Sequence, residues 1–215
     1  MYLNRNIHKK IAKSLQYNPA TAIVGARQVG KTTLAKVHIK QHKDSIYLDL
    51  EKPSDRNLLS DPERFFQINN HKLICMDEIQ LMPNIFPVMR SIIDDEDYDI
   101  KFLITGSASP DLLRQSSESL AGRISYFELS PFLLTELKDT SIHDYWLRGG
   151  FPNSLFANDN DLSMEWRTNF IRTFLERDLR NFGFDIPADM LNRLWKMLAH
   201  NNGQLLNYRQ LSNSM

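Results

Sequence analysis

The chain has 215 residues, enough for one sizeable domain or for one domain with a smaller extension. Its 26 basic and 26 acidic residues cancel, which excludes a global field that would draw the molecule to nucleic acid or to an anionic membrane. No apolar run reaches the roughly 20 residues that cross a bilayer, and no signal-peptide core follows the N-terminus, so we expect a cytoplasmic protein without a membrane contact. The single cysteine, Cys75, lies in an apolar run and is expected to be a buried thiol in a reducing compartment.

The first half of the chain alternates short apolar runs with longer amphipathic stretches. Strands are predicted over residues 21–24, 45–50, 72–76, 101–105 and 124–129. Helices are predicted over residues 32–41, 85–93 and 109–114. This alternation is typical of a parallel sheet with helices on both faces, so the sequence predicts an α/β fold with a five-stranded sheet.

The second half changes character after Pro131, where strand-like runs disappear. Two helices rich in Leu, Met, Trp and Phe are predicted over residues 161–180 and 188–200. Residues 149–152 are interpreted as a turn or hinge, and residues 183–187 as the connection between the two helices. The predicted domains are therefore 1–131, a helical region at 132–200, and a short segment at 201–215.

A glycine-rich loop lies between the first predicted strand and the first predicted helix. Its sequence, Gly25-Ala26-Arg27-Gln28-Val29-Gly30-Lys31-Thr32, fits the phosphate-loop pattern G-x-x-x-x-G-K-[ST] at every fixed position. Glycines let the backbone N–H groups surround phosphates, and the following helix N-terminus adds positive potential. We therefore predict that residues Gly25 to Thr33 bind ATP, that Lys31 reaches the β- and γ-phosphates, and that the Thr32 hydroxyl binds Mg²⁺.

Two adjacent carboxylates end the third predicted strand. Asp77 follows the apolar run at residues 73–76 and suits a magnesium-binding role through the water shell of the ion. Glu78 comes directly after it and suits a general base that orients or deprotonates the attacking water. The alternative is a buried strand with a solvated acidic end.

Polar residues also follow the fourth predicted strand. Ser107 or Thr105 could contact the γ-phosphate or the water from this position. Small hydroxyl residues before a helix more commonly form caps and turns, which is the alternative here.

Arg123 precedes the last predicted strand. An arginine there could stabilise charge on the transferring phosphoryl group, either in its own active site or in that of a neighbouring subunit. A surface arginine without a catalytic role is the alternative.

Together these residues resemble a known family, the predicted AAA-superfamily ATPases of bacteria and archaea with a C-terminal domain of unknown function. The resemblance covers nearly the whole chain and rests on six motifs: the phosphate loop, Asp77-Glu78-Ile79-Gln80, Leu103-Ile104-Thr105-Gly106-Ser107, Glu118-Ser119-Leu120-Ala121-Gly122-Arg123, Leu147-Arg148-Gly149-Gly150-Phe151-Pro152 and Glu176-Arg177-Asp178-Leu179. It implies a P-loop NTPase core followed by an all-α lid and a winged-helix-like segment, and usually a further domain. Because a winged helix would begin only near residue 201, we expect it to be truncated and the apolar faces of residues 191–211 to be incompletely covered.

The leading functional interpretation is a Mg²⁺-dependent ATPase whose nucleotide cycle regulates an attached or bound partner. One alternative is a nucleotide switch that binds ATP and hydrolyses it slowly. Another is a DNA-dependent ATPase, which the incipient winged helix and the resemblance favour but the charge balance does not. A small-molecule kinase also uses a phosphate loop, but such enzymes usually lack the adjacent Asp77-Glu78 pair. The expected ligands are ATP or ADP, the protein partner is unidentified, and association into a homo-oligomer is a further alternative.

Overall fold

The fold is described from a computed structural model that covers residues 2–107, 116, 118–138, 140–179 and 186–214. The predicted helix at 109–114 and most of the predicted connection at 183–187 lie outside these residues. The described contacts divide the chain into two compact units, Met1–Phe156 and Ala157–Met215. None of the described helices is long and apolar enough to cross a membrane.

The first unit is built on a parallel five-stranded sheet with the order β2-β3-β4-β1-β5. The strands are β1 (Ala20–Val24), β2 (Ser45–Asp49), β3 (Leu73–Asp77), β4 (Lys101–Gly106) and β5 (Ile124–Glu128). The helices of this unit are α1 (His8–Tyr17), α2 (Lys31–Gln41), α3 (Pro53–Leu58), α4 (Pro62–Ile68), α5 (Ile85–Asp94), α6 (Ile142–Arg148) and α7 (Pro152–Leu155). Short 3₁₀ turns cover Ile79–Leu81 and Leu134–Glu136.

The central strands are apolar throughout because both faces of the sheet are covered. All residues of β1 and β3 are buried, including Asp77 at the end of β3. Alternate residues enter two separate cores: Ile74 and Met76 pack in one, and Leu73 and Cys75 in the other. This period of two is what a strand buried on both sides requires. The predicted α/β fold with a five-stranded parallel sheet is confirmed, and burial raises the pKa of the Cys75 thiol as expected for an inert cysteine.

The first unit extends beyond the predicted domain boundary near Pro131. The chain after β5 stays attached because the Phe132 N–H donates to the Gly150 carbonyl at 2.7 Å, and the Tyr145 hydroxyl donates to the Phe132 carbonyl at 2.8 Å. Gly150 is required at this approach, since a Cβ there would collide with the Phe132 backbone. Residues 132–156 therefore belong to the first unit, although the loss of strand patterning suggested a boundary before them.

The second unit is helical, as the sequence predicts. It contains α8 (Asn160–Thr173), a π-helical turn (Phe174–Asp178), α9 (Ala188–His200) and α10 (Tyr208–Ser214). An aromatic row of four rings, with centroids 5.0 to 6.2 Å apart, links α8 through the π-helical turn to α9: Trp166, Phe170, Phe174 and Trp195. The expected uncovered apolar face is only partly present, because Leu205 is 99% exposed whereas Leu191 and Leu211 are buried.

Candidate functional site

The glycine-rich loop leaves β1 at the carboxyl edge of the sheet and leads into α2. Gln28 and Gly30 adopt left-handed backbone conformations, with φ of 62° and 100°. A non-glycine residue such as Gln28 occupies this region at an energetic cost, and such strain is concentrated at functional sites. No described side chain caps the first turn of α2, which leaves its N–H groups open to an anion.

The loop also packs tightly against the chain that follows β5. Gly25 has a φ of 154°, and a Cβ at this position would collide with the Leu129 carbonyl. The Leu129 N–H donates to the Val24 carbonyl at 2.7 Å, so the two segments approach each other at the loop entrance. Only glycine fits where the loop begins, which explains the first fixed position of the motif.

The Lys31 side chain lies inside the loop. Its Nζ donates to the carbonyls of Gly25 and Ala26, at 3.1 and 2.9 Å, and the residue is only 5% exposed. Burial lowers the Lys31 pKa, while the charges of Glu78 and Asp77 oppose that shift. The two predicted carboxylates therefore act on the lysine through their charge.

Thr32 and Thr33 occupy the first turn of α2 beside Lys31. Thr32 is half-buried and Thr33 is exposed. The structure thus brings the whole predicted nucleotide-binding segment, from Gly25 to Thr33, to the edge at which Asp77 and Glu78 end β3.

Both carboxylate oxygens of Asp77 accept hydrogen bonds from hydroxyl groups of neighbouring strands. Tyr47 on β2 donates to Oδ2 at 2.5 Å, and Thr105 on β4 donates to Oδ1. Burial and the contact with Asp77 raise the pKa of Tyr47, so its hydroxyl stays protonated and remains a donor. Asp77 is 3% exposed, and these two donors fix its orientation.

No group of three or more His, Cys, Asp or Glu side chains among the described residues could hold a metal by itself. Mg²⁺ in nucleotide sites typically takes only one or two protein oxygens and completes its shell with phosphates and water. A buried, oriented carboxylate at Asp77 and the hydroxyl of Thr32 are oxygen ligands of this kind. They fit a magnesium ion that binds together with a nucleotide.

Glu78 adopts a left-handed conformation, with a φ of 61°, directly after β3. Its N–H donates to Thr105 Oγ1 at 3.2 Å, so Thr105 connects both carboxylate residues. The Glu78 carboxylate accepts a hydrogen bond from the Gln80 side-chain amide. The Gln80 oxygen in turn accepts from the Ser107 N–H at 3.4 Å. The predicted polar residues after β4 therefore lie beside the predicted base, Thr105 through its side chain and Ser107 through its backbone.

Arg123 lies at the end of the sheet where the parallel strands begin, opposite the end that carries the phosphate loop. It precedes β5, and its carbonyl accepts from the N–H of Ala20, the first residue of β1. Its guanidinium forms a two-pronged ion pair with Asp94 at the end of α5. Because the phosphate loop leaves the far end of β1, Arg123 lies at the other end of β1 from its own loop. This placement favours action on a neighbouring subunit over action within its own, and both stay predictions.

Sequence reasoning assigned no role to Tyr47, Gln80 or Arg5, although each contacts a residue of the site. Tyr47 occupies an alternate position on the edge strand β2 and looks like an ordinary strand residue. Gln80 stands in the quoted Asp77-Glu78-Ile79-Gln80 motif, so its proximity to the base was available as a signal. Arg5 carries no local signal, because its partners lie 24 to 131 residues away.

Sequence comparison identifies the family. The AAA domain family matches residues 17–138, more than half of the chain. The chain belongs to the AAA domain family. A domain of unknown function matches residues 139–215 and follows the AAA domain directly. This protein is thus an AAA-type ATPase domain in the general, ATP-binding sense, followed by a second region whose role the family does not define.

The chain is also similar to two curated proteins and to a solved structure. Uncharacterized proteins of Mycobacterium bovis and Mycobacterium tuberculosis are each 40% identical over 211 residues, 98% of this AAA chain. The chain spans 47% of their length. A solved Walker-type ATPase of Pyrococcus abyssi superposes with a TM-score of 0.62 at 15% identity, covering 98% of this chain and 87% of that protein, and so shares the fold.

Proposed function

We propose that this AAA protein binds ATP with Mg²⁺, hydrolyses it, and couples the nucleotide cycle to an attached or bound partner. The observation that carries the proposal is the buried Lys31 side chain, which lies inside the phosphate loop with its Nζ on the Gly25 and Ala26 carbonyls, at the same strand ends as Asp77 and Glu78. A cation, a metal-type carboxylate and a second carboxylate at one strand edge are the groups that phosphoryl transfer to water requires.

Each group at the loop has a separate proposed role. The loop amides and the α2 N-terminus would hold the phosphates, and the Lys31 Nζ would exchange its two carbonyl partners for phosphate oxygens. Asp77, fixed by Tyr47 and Thr105, would orient the water shell of the ion, with Thr32 as a direct ligand. When bound, Mg²⁺ would supply positive charge that neutralises the phosphates.

Glu78 is the proposed base. Its carboxylate would accept a proton from the attacking water, or orient that water, once the side chain leaves Gln80. The peptide of Ser107 holds Gln80 on its other side, so the base is tied to the end of β4. Ser107 is proposed to respond to the presence of the γ-phosphate and to affect Glu78 through Gln80.

One observation favours a slow nucleotide switch as the second candidate. The Glu78 carboxylate is engaged by Gln80, so the base is occupied before any water is activated. Where the attacking water would use that same oxygen, Gln80 competes with it, which lowers the fraction of competent molecules. In this case the protein would mainly bind ATP and hydrolyse it slowly.

Coupling to a partner is supported by the continuous packing between the loop and the residues after β5. Leu129 abuts Gly25, and three residues later Phe132 abuts Gly150 of the 147–152 motif. A movement of the phosphate loop would therefore displace closely packed backbone between the loop and α6. Such packing supports the proposal physically, but coupling itself is a free energy that must be measured.

Phosphate release tests the proposal. The protein with ATP and Mg²⁺ should release phosphate continuously, and chelation of the metal should abolish release. A slow switch would bind ATP but release less than one equivalent on the same timescale. Absence of both nucleotide binding and phosphate release would contradict the proposed function.

A further inference from the structure

Arg5 is a buried arginine in the segment before α1 that contacts the phosphate loop directly. Its side chain is 4% exposed. Nη1 donates to the Val29 carbonyl at 3.1 Å, and Nη2 donates to the Ser130 carbonyl at 2.6 Å. The guanidinium also lies 4.1 Å from the centre of the Phe132 ring. One side chain thus joins the loop to the chain that follows β5.

The charge of Arg5 is balanced by Glu136, which is 3% exposed. Nε of Arg5 donates to Glu136 Oε2 at 3.1 Å. Burial opposes ionisation of this carboxyl, but the N–H groups of Leu133 and Asn6, at 2.9 and 2.7 Å, and the guanidinium outweigh it and lower the pKa of Glu136. The pair is therefore ionised and held by several further hydrogen bonds, which is the condition under which a buried ion pair is stable.

The contact with Val29 determines where the next amide points. A peptide unit is planar and trans, so its C=O and N–H groups point in opposite directions. The Val29 carbonyl accepts from the buried Arg5, while the Val29 side chain is fully buried in the core. The N–H of the same peptide belongs to Gly30 and must point away from Arg5.

We propose that Arg5 is a positioning residue that aims the Gly30 N–H into the phosphate cradle. Gly30, with a φ of 100°, is itself free to rotate about this bond, so the contact of the Val29 carbonyl with Arg5 is what fixes the orientation of the peptide. The ligand class is a nucleoside di- or triphosphate, because the amides of such a loop surround the β-phosphate. The inference rests on the proposed nucleotide binding and adds a determinant that lies 24 residues before the loop residue it holds.

The expected consequence is selective for the phosphate chain. Loss of one aimed hydrogen bond to a charged phosphate should weaken ADP binding roughly ten- to a hundredfold. AMP lacks the β-phosphate, so its binding affinity should fall much less. A residue that only supports the fold would lower the affinities for ADP and AMP together.

The test compares ADP and AMP affinities, by calorimetry or by competition with a fluorescent nucleotide, in the full chain. Arg5→Met removes the donor but leaves Glu136 buried without its partner, which itself destabilises the fold. The double variant Arg5→Met with Glu136→Gln removes both charges and keeps the comparison valid if the single variant does not fold. Glu136→Gln alone retains the donor to Val29. Arg56→Met is the matched control, because Arg56 also donates to a main-chain carbonyl, that of Leu50 after edge strand β2, at 3.0 Å.

The proposal expects the ADP-to-AMP affinity ratio to fall at least tenfold in both variants that lack Arg5, and to stay at the parent value in Glu136→Gln and Arg56→Met. A parent-like ratio in the double variant would overturn it. Failure of the proposed function is distinguishable, since in that case the parent protein itself would bind neither ADP nor ATP.

Discussion

The hydroxyl of Tyr47 donates a hydrogen bond of 2.5 Å to the carboxylate of Asp77, across two neighbouring parallel strands. Thr105 donates to the other carboxylate oxygen from the strand on the opposite side. Asp77 is thus held from both neighbouring strands. A carboxylate that must orient the water shell of an ion gains from this arrangement, because it is already in position before the ion arrives.

Tyr47→Phe removes one of the two donors without changing the shape of the residue. We expect the Mg²⁺ concentration needed for half-maximal phosphate release to rise roughly tenfold, since loss of a partner that orients a metal ligand typically costs at least that much. ATP titrations at saturating Mg²⁺ should change little. Tyr17→Phe is the control, because Tyr17 is exposed at the end of α1. An unchanged Mg²⁺ requirement would mean that Thr105 alone positions Asp77.

Gln80→Leu tests whether Gln80 restrains the proposed base. Removing the amide frees the Glu78 carboxylate, and a typical hydrogen bond of about 1 kcal/mol corresponds to a rise in kcat of roughly fivefold. Nucleotide affinity should stay the same, because no loop contact is lost. Gln67→Leu, an exposed position on α4, controls for the change of side chain. A lower kcat would show that Gln80 instead holds Glu78 in its productive orientation.

Arg123→Ala tests action on a neighbouring subunit. A true arginine finger contributes a factor of roughly a thousand or more to turnover. Mixing Arg123→Ala with Lys31→Ala chains should restore part of the activity, because some shared sites then combine an intact loop with an intact arginine. Arg90→Ala is the control, since Arg90 also pairs with Asp94, at 3.7 Å, but is not proposed to act on phosphate. A parent-like rate for Arg123→Ala would leave Arg123 as a surface ion pair.

The stability of the first unit should depend on pH through His38. This side chain is fully buried in α2 and stacks on His8 with ring centroids 4.4 Å apart, and neither ring nitrogen has a partner among the described residues. Burial, together with the neighbouring histidines, lowers the His38 pKa from 6.5 to about 4. The unfolded chain therefore binds more protons between these values, so the free energy of unfolding should fall as the pH drops from about 6.5 towards 4.

His38→Leu should remove this dependence. Leucine suits the apolar surroundings, so stability at pH 7 should be kept, while the loss on acidification should shrink by about 1–3 kcal/mol. Urea unfolding at pH 7 and pH 5 measures both quantities. His143→Gln, at an exposed position, should leave the dependence unchanged. If His38→Leu loses as much stability as the parent on acidification, other groups cause the effect.

Local patterns were sufficient to predict the sheet and the loop. The strands of the core are short apolar runs because both faces are buried, and the loop motif has a strict spacing because each position meets a phosphate or a tight backbone approach. Gly25 illustrates this: its close contact with Leu129 leaves no room for a Cβ.

Long-range contacts could not be predicted in the same way. Tyr47 and Asp77 are 30 residues apart, and only the strand order brings them together. The same holds for Arg123, whose position before β5 suggested a place beside the phosphates. The parallel direction of the strands puts it instead at the end of the sheet opposite the phosphate loop. The attachment of residues 132–156 to the first unit could not be predicted either, because it rests on backbone hydrogen bonds that leave no periodic signal.

The most direct test of the central claim is steady-state phosphate release measured beside ATP affinity in Glu78→Gln, with Lys31→Ala and the parent in parallel. Glu78→Gln should bind ATP like the parent and release phosphate at least a hundredfold more slowly, because the base is lost while the phosphate contacts remain. Lys31→Ala should lose affinity instead. Phosphate release by Glu78→Gln at the parent rate would contradict the assignment of Glu78 as the base and, with it, this account of the site.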